Sequence, residues 1–457
     1  MPVIGVIMSS YILDKIKISK LRSYLTKRIL KKILLVIPNL FGILLSPILV
    51  LLIRAIKPFI LIRYALILST RVGHLIENMD LYLCYKKINM HNSDLKNYEK
   101  KIINIFYCQE DISNKFFLEM LKKKVIILPR YILHWVEQFD SYLDKYFNSD
   151  RIHETGCYKT LDTKGFHSNY PPYCQRDIEG LYNNIGSNFC LTDSQITSGD
   201  KILKKLGVNL EKKIVCIYSR DSLYLKKTYP KIDWSHHDYR NLDINLFKES
   251  IYYLIDKDYF VIRIGSLADQ KIKIDNDNFL DYPFSAQVSD FLDVYIGHKC
   301  NFFISTSGGI DAFAQMFRKP ILWPSLFPLK DIKSSNKRYM ASFRHIKYEE
   351  TNKKLTMKEV INLNLDYCYD IEDLKNKKVY LCPPSEHELK IATQDMVEFL
   401  EDSFIEKESL KLLKKKFKNI FKNSKMAYKD KINFHNQNKI NFKISKSFLE
   451  SNNWWVE

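Results

Sequence analysis

Arg220 closes the apolar run KIVCIYSR at residues 213 to 220, and Arg263 sits near the end of YFVIRIG at 259 to 265. Between them, DWSHHDYRN (233 to 241) gathers Trp, His, Asp, Tyr and Arg with no helical or strand period. A guanidinium at the carboxyl edge of a sheet can take two phosphate oxygens at once. Farther along, NFFISTSGGIDA (301 to 312) runs from an apolar stretch into Thr306, Ser307, Gly308 and Gly309. Hydroxyls and backbone N–H groups where a helix opens bind anions, and paired glycines let the backbone come close. The pattern predicts a site for a phosphorylated ligand, with Ser307, Gly308 and Gly309 as N–H donors. Asp311, one turn in, is expected to accept hydrogen bonds from a ribose.

Other residues join this constellation by position. Asp221 is expected either to hold the Arg220 guanidinium or to cap the following turn, with Lys226, Lys227 and Thr228 in reach. Tyr239, Arg240 and Asn241 end the polar segment, and Gly265 follows Arg263. Arg71, Val72, Gly73 and His74 form an earlier strand-to-helix turn. His74, Glu77 and Asp80 have side chains able to take a hydroxyl proton; His74 is the candidate base, and capping or surface charge accounts for Glu77 and Asp80. His236 and His237 are adjacent, a spacing that seldom serves one metal ion. Asp275, Asn276 and Asp277 lie in a polar run near lysines and read as a loop. The chain has no G-x-x-x-x-G-K-[ST], no G-x-G-x-x-G after a strand and no G-x-S-x-G.

The elements that must carry these residues alternate. Strands are expected at 65 to 68, 101 to 108, 124 to 129, 213 to 220, 259 to 265, 278 to 282, 301 to 305 and 320 to 324. Helical spacing falls between them, as at 246 to 256, 289 to 299 and 310 to 317. This alternation predicts parallel sheets covered by helices, with ligands beyond the carboxyl ends of the strands. Two Rossmann-like, doubly wound units facing a cleft are expected, at 64 to 205 and 206 to 400. Residues 151 to 190, richer in Gly, Pro, Asn and Tyr, read as long loops.

The formal charge of +19 does not belong to this middle. Residues 1 to 63 hold eleven Lys or Arg against one Asp, and residues 410 to 457 hold twelve Lys against three acids. The two ends account for the whole excess, which argues against a nucleic-acid face on the folded part. Within the first, ILLVIPNLFGILLSPILVLLI (33 to 53) has no charged side chain and is long enough to enter or cross a bilayer. Basic residues flank it on both sides, so a monotopic arrangement is expected: a bent, re-entrant or surface-lying segment, broken at Pro38-Asn39 or Ser46-Pro47. The basic tail, 401 to 457, is expected either to add attraction to anionic lipid or to be a solvated end. Trp454 and Trp455 suit an interfacial anchor or docking on the protein. Nine scattered cysteines without a C-x-x-C pair read as buried thiols.

The ordered set RDSLYLKKTYP, DWSHHDYRN, VIRIGS and SDFLDVYIGHKCNFFISTSGGIDA resembles a family of bacterial glycosyltransferases known mainly from genome sequences. More distantly, Arg220 and the run from Asp290 to Ser307 look like motifs of GT-B fucosyltransferases, although Tyr218-Ser219-Arg220 stands where His-x-Arg is common there. The resemblance implies a GT-B fold and metal-independent sugar transfer from a nucleotide donor, GDP- or UDP-linked, with no other cofactor. It implies diphosphate binding by Arg220 and the Ser/Thr-rich turn, and a polysaccharide or lipid-linked acceptor. The expected location is the cytoplasmic face of a bacterial inner membrane. The rival readings are a polysaccharide-modifying pyruvyl transferase and a non-catalytic membrane-associated binding protein.

Overall fold

The computed structural model describes residues 36–89, 101–147, 153, 177, 179–368, 370–403, 407–422, 424 and 440–457. Most of the expected 151–190 loop region lies outside them. Two compact units divide the chain, each assembled from separated stretches of sequence. The smaller draws on described residues of 36–67, 101–110 and 125–153, and the larger on those of 68–89, 111–124 and 177–457.

In the smaller unit three parallel strands pair in the order β1 (Ile60–Ile67), β2 (Lys101–Cys108) and β3 (Ile126–Ile127). β1 starts at Ile60, ahead of the apolar run expected at Ala65, and Arg63 lies on it fully buried. The order shows no reversal, so among the described residues this sheet is not the doubly wound one expected. The apolar stretch forms one continuous helix over Val36–Ile56. Pro47 does not break it: its missing N–H leaves the Ile43 carbonyl open, and Ser46 Oγ donates to that oxygen at 2.9 Å. The helix Arg130–Tyr146 lies against it. Gly42, Ser46 and Val50, four residues apart, are buried, and a Cβ on Gly42 would stand 1.7 Å from the Tyr131 carbonyl oxygen. Arg54 closes the pairing with bonds of 2.7 Å each to Asp140 and Asp144.

The larger unit is built on a seven-stranded sheet, every neighbouring pair parallel. Its strands are β4 (Lys213–Tyr218), β5 (Tyr259–Arg263), β6 (Phe279–Asp281), β7 (Phe302–Ser305), β8 (Ile321–Leu326) and β9 (Tyr339–Phe343). After a separate antiparallel pair, β10 (Ile346–Tyr348) and β11 (Val379–Leu381), a short β12 (Lys443–Ile444) completes it. The order is β12-β9-β8-β7-β4-β5-β6. Leaving β12 aside, this is the doubly wound order, with its reversal between β4 and β7. The central strands are buried along almost their whole length, which is why they read as unbroken apolar runs. Val215, Ile217, Phe302 and Ile304 face a core shared with the helices Lys248–Asp256 and Glu386–Leu400. The basic end is no free tail where it is described. Phe417 and Phe421 of the helix Glu408–Lys422 are buried, β12 joins the sheet edge, and Trp455 stacks on Phe343 at 5.0 Å.

The helix Val72–Lys87 belongs to this unit and carries Asp80 inward. Asp80, 1% exposed, pairs with Arg318 at 2.6 Å, and Arg318 also donates to the carbonyls of Ile185 and Gly186. Asp80 is thus an interior ion-pair partner, neither a base nor a surface charge. Removing one member of such a pair strands a buried charge, at about 3–5 kcal/mol. Arg318→Ala should lose about that much stability in urea titrations, and adding Asp80→Ala should restore part of the loss.

Candidate anion-binding site

The strand reversal makes the site. Tyr218 and Ser305 stand opposite each other at the ends of β4 and β7, and beyond them the two chains bond once more in each direction. The Arg220 N–H donates to Thr306 Oγ1 at 2.9 Å, and the Thr306 N–H donates to the Tyr218 carbonyl at 3.2 Å. Arg220 is buried, and its Nη1 donates to the His237 carbonyl at 3.1 Å and to Asn241 Oδ1. Its Nε and Nη2 meet no acceptor, and it pairs with no carboxylate, among the described residues. Burial above all, with Arg240 nearby, holds the guanidinium below its ordinary pKa. A buried cation with an open two-nitrogen edge suits a bidentate anion.

The turn after β7 is tightly packed. Ser307 has a φ of 66°, in the left-handed region, and its N–H donates to Ser305 Oγ at 3.2 Å, so it serves the turn rather than a ligand. A Cβ on Gly308 would stand 2.4 Å from the Tyr218 ring, and one on Gly309 would stand 2.9 Å from the Gly73 nitrogen. The helix expected from Ile310 to Phe317 is present but short: a 3-10 turn, Gly309–Asp311, runs into the α-helix Ala312–Met316. The substantial helix end here is that of Val72–Lys87, whose first turn has no acidic residue and no capping side chain. Its N-terminus meets the turn where Gly73 touches Gly309, so the positive end of a long helix adjoins the glycines. Asp311 is turned inward: Trp323 Nε1 donates to its Oδ2 at 3.0 Å and Gln315 Nε2 to its Oδ1 at 3.3 Å. Burial raises its pKa to about 6.

Further cations surround this point. Arg71 is exposed, and desolvation of its group and repulsion from Arg240 depress its pKa. Arg240 donates to Tyr239 Oη at 3.1 and 2.9 Å and lies 3.5 Å from Asp331. His74 feels burial first and then Arg71, Arg240 and Lys333, which together push its pKa down to about 3. It is a neutral imidazole at physiological pH. Glu77 is bound by Lys333 at 2.6 Å and by Gln315 at 2.9 Å.

The polar segment forms a 3-10 helix, Ser235–Arg240. The His236 and His237 rings lie 4.0 Å apart, and burial ahead of neighbouring cations pushes His237 down to about 2. Among the described residues no group of three His, Cys, Asp or Glu could hold a metal ion; Asp275, Asn276 and Asp277 are exposed. A cavity of about 230 Å³ opens beside Arg220, lined also by Asp221, Asn241, Asp243, Arg263 and Gln270. Asp221 accepts from the N–H groups of Leu223 and Asp269 at 2.9 and 3.2 Å, the capping alternative, and Lys226 and Lys227 point to solvent. Arg263 is buried against Asp281 at 3.3 Å and the Gln270 carbonyl at 2.7 Å, which makes it a wall of the cavity. Gly265, with φ at 148°, holds a backbone conformation that a side chain would strain.

Arg344 is a member of this group that the sequence pattern did not single out. It follows β9 as Arg220 follows β4, it is buried, and it donates to Ser325 Oγ at 2.9 Å and to the Tyr239 carbonyl at 2.8 Å. Burial lowers its pKa to about 10. It ties the polar segment to the sheet edge, and its strand-end position was the available signal.

The cluster makes a measurable claim about His74. Its imidazole resonances, assigned with His74→Gln, should not titrate between pH 5 and 8. Inorganic pyrophosphate should raise its pKa by placing negative charge among the cations that depress it.

No family model matches this chain, and no curated protein does. Solved structures overlap it in part. A heptosyltransferase II from E. coli, named for ADP-heptose and lipopolysaccharide, is 11% identical over 62% of this chain and 90% of its own, with a TM-score of 0.34. A family 9 glycosyl transferase from Veillonella parvula is 9% identical over 62% and 85%, with a TM-score of 0.32. A Listeria monocytogenes protein described as a UDP-N-acetylglucosamine 2-epimerase is 12% identical over 76% and 97%, with a TM-score of 0.24. Overlaps this loose carry no function across; this chain's own residues must.

Proposed function

We propose that this chain is a glycosyltransferase that moves a sugar from a nucleotide donor, GDP- or UDP-linked, to a polysaccharide or lipid-linked acceptor without a metal ion. The observation that carries the reading is Arg220. It is buried at the strand reversal, pairs with no carboxylate among the described residues, and keeps Nε and Nη2 open. A diphosphate leaving group gains negative charge as the glycosidic bond breaks, and donors fixed beforehand stabilise that charge by about 3–4 kcal/mol each. Arg220 and the Gly308–Gly309 backbone take that role, with Thr306 holding Arg220 in place through its backbone N–H. Arg71 and Arg240 supply further positive charge, and the cavity beside Arg220 offers room for the donor.

His74 is the base for the acceptor hydroxyl. In the free protein its neutral form is a weak base, because burial and the charges of Arg71, Arg240 and Lys333 oppose protonation. A bound diphosphate offsets those charges, so basicity rises only once the donor is in place. The acceptor belongs at the cytoplasmic face of a bacterial inner membrane, where the basic and apolar first 63 residues bring the enzyme to lipid-linked glycans.

Thermal-shift measurements should show stabilisation by UDP or GDP that Arg220→Ala abolishes. Turnover in that variant should fall about 10²–10³-fold while its circular dichroism spectrum stays that of the parent, and Arg220→Lys should recover only part. Wild-type turnover should persist in EDTA. Stabilisation by no nucleotide, or near-normal turnover of Arg220→Ala, would count against the reading.

A further inference from the structure

We infer that the Val36–Ile56 helix lies in the plane of the membrane surface as a fixed rib of the smaller unit, and that it does not cross the bilayer. The helix has 21 residues, a mean hydropathy of 2.5 in its best window and 17% of that window buried. At about 31 Å its length alone would allow a crossing. Its neighbour does not allow it.

Two stripes run along the helix. Asn39, Gly42, Ser46, Val50, Ile53 and Arg54 form the inner one. Trp135 Nε1 donates to Asn39 Oδ1 at 2.9 Å, Gly42 abuts Tyr131, Val50 packs with Val136, and Arg54 binds Asp140 and Asp144. These contacts follow the helix Arg130–Tyr146 along nearly its whole length. That helix carries Arg130, Glu137, Asp140, Asp144 and Lys145. A crossing would draw these charged groups to bilayer depth, where each is strongly disfavoured. Lys57, Pro58 and Phe59 alone separate the apolar helix from β1 at Ile60, so its far end is also held to the folded unit.

The outer stripe is marked by Ile37, Leu40, Leu44, Ile48 and Leu51, which are between 53% and 75% exposed. Apolar residues so spaced on one face of a helix suit insertion into the headgroup and acyl boundary, a few ångströms deep. The occupant is an anionic lipid surface, because residues 1 to 35, just ahead of the helix, hold eight Lys or Arg against one Asp, and Lys57 follows it. The inference is independent of which group the enzyme transfers.

Full-length protein with Ile37→Trp, Leu44→Trp or Leu51→Trp would be bound to phosphatidylcholine/phosphatidylglycerol vesicles containing lipids brominated at different acyl positions. Circular dichroism would check that each variant keeps the parent fold. After subtraction of parent fluorescence, an in-plane helix gives all three positions the same shallow depth, and Leu44→Asp with Leu51→Asp reduces vesicle co-sedimentation at least tenfold. A deep position 44 between shallow positions 37 and 51 would overturn the inference in favour of a crossing. Absence of quenching at all three would overturn it too, as would a dimer in solution that the aspartate variant dissociates while vesicle binding is unchanged.

Discussion

A guanidinium buried without a carboxylate is the constraint around which the larger unit is arranged. Such a charge is costly to bury unless polar groups surround it. The protein meets that cost with neutral dipoles: Asn241 and the His237 carbonyl at Arg220, Ser325 and the Tyr239 carbonyl at Arg344. Three of those acceptors lie between residues 237 and 241, so the same short segment is pinned by two arginines from two strand ends. A carboxylate beside Arg220 would neutralise the cation there. Carbonyl and amide oxygens hold the side chain while leaving its charge.

The contrast with Arg263 and Arg318 sharpens this. Arg263 pairs with Asp281 and Arg318 with Asp80. Both are interior ties that fix loops and helices to the sheet. Arginines in one unit therefore do two kinds of work, distinguished by whether a carboxylate stands beside them and not by their position after a strand.

The parts legible in sequence were those governed by local pattern. β2, the helix Asp290–Lys299 and the strands around the reversal are visible because central parallel strands are apolar on both faces and helices keep their spacing. Arg220 and the glycines of the 306 to 309 turn stood out because strand ends are where such a sheet binds ligands. What stayed hidden depends on partners far away in the chain. Nothing near Asp80 announces Arg318, and nothing near Asp311 announces Trp323. Arg63 reads as the edge of a membrane segment, although it is buried within β1. Pro47 reads as a break until Ser46 is seen donating to the carbonyl it leaves open. Among the described residues, the three-stranded sheet of the smaller unit lacks the reversal that an alternating sequence suggested.

The interleaving of the two units has a consequence for how the chain acquires its shape. The helix Val72–Lys87 is made early, yet its Asp80 waits for Arg318, and the sheet it serves is closed at one edge only by Lys443–Ile444. Contacts of such long sequence separation slow folding, because loop closure comes before the reward. The anion site therefore comes together late: its helix end at Val72 and Gly73, the turn at Gly309 that meets it and the sheet edge at Lys443–Ile444 belong to distant parts of the chain.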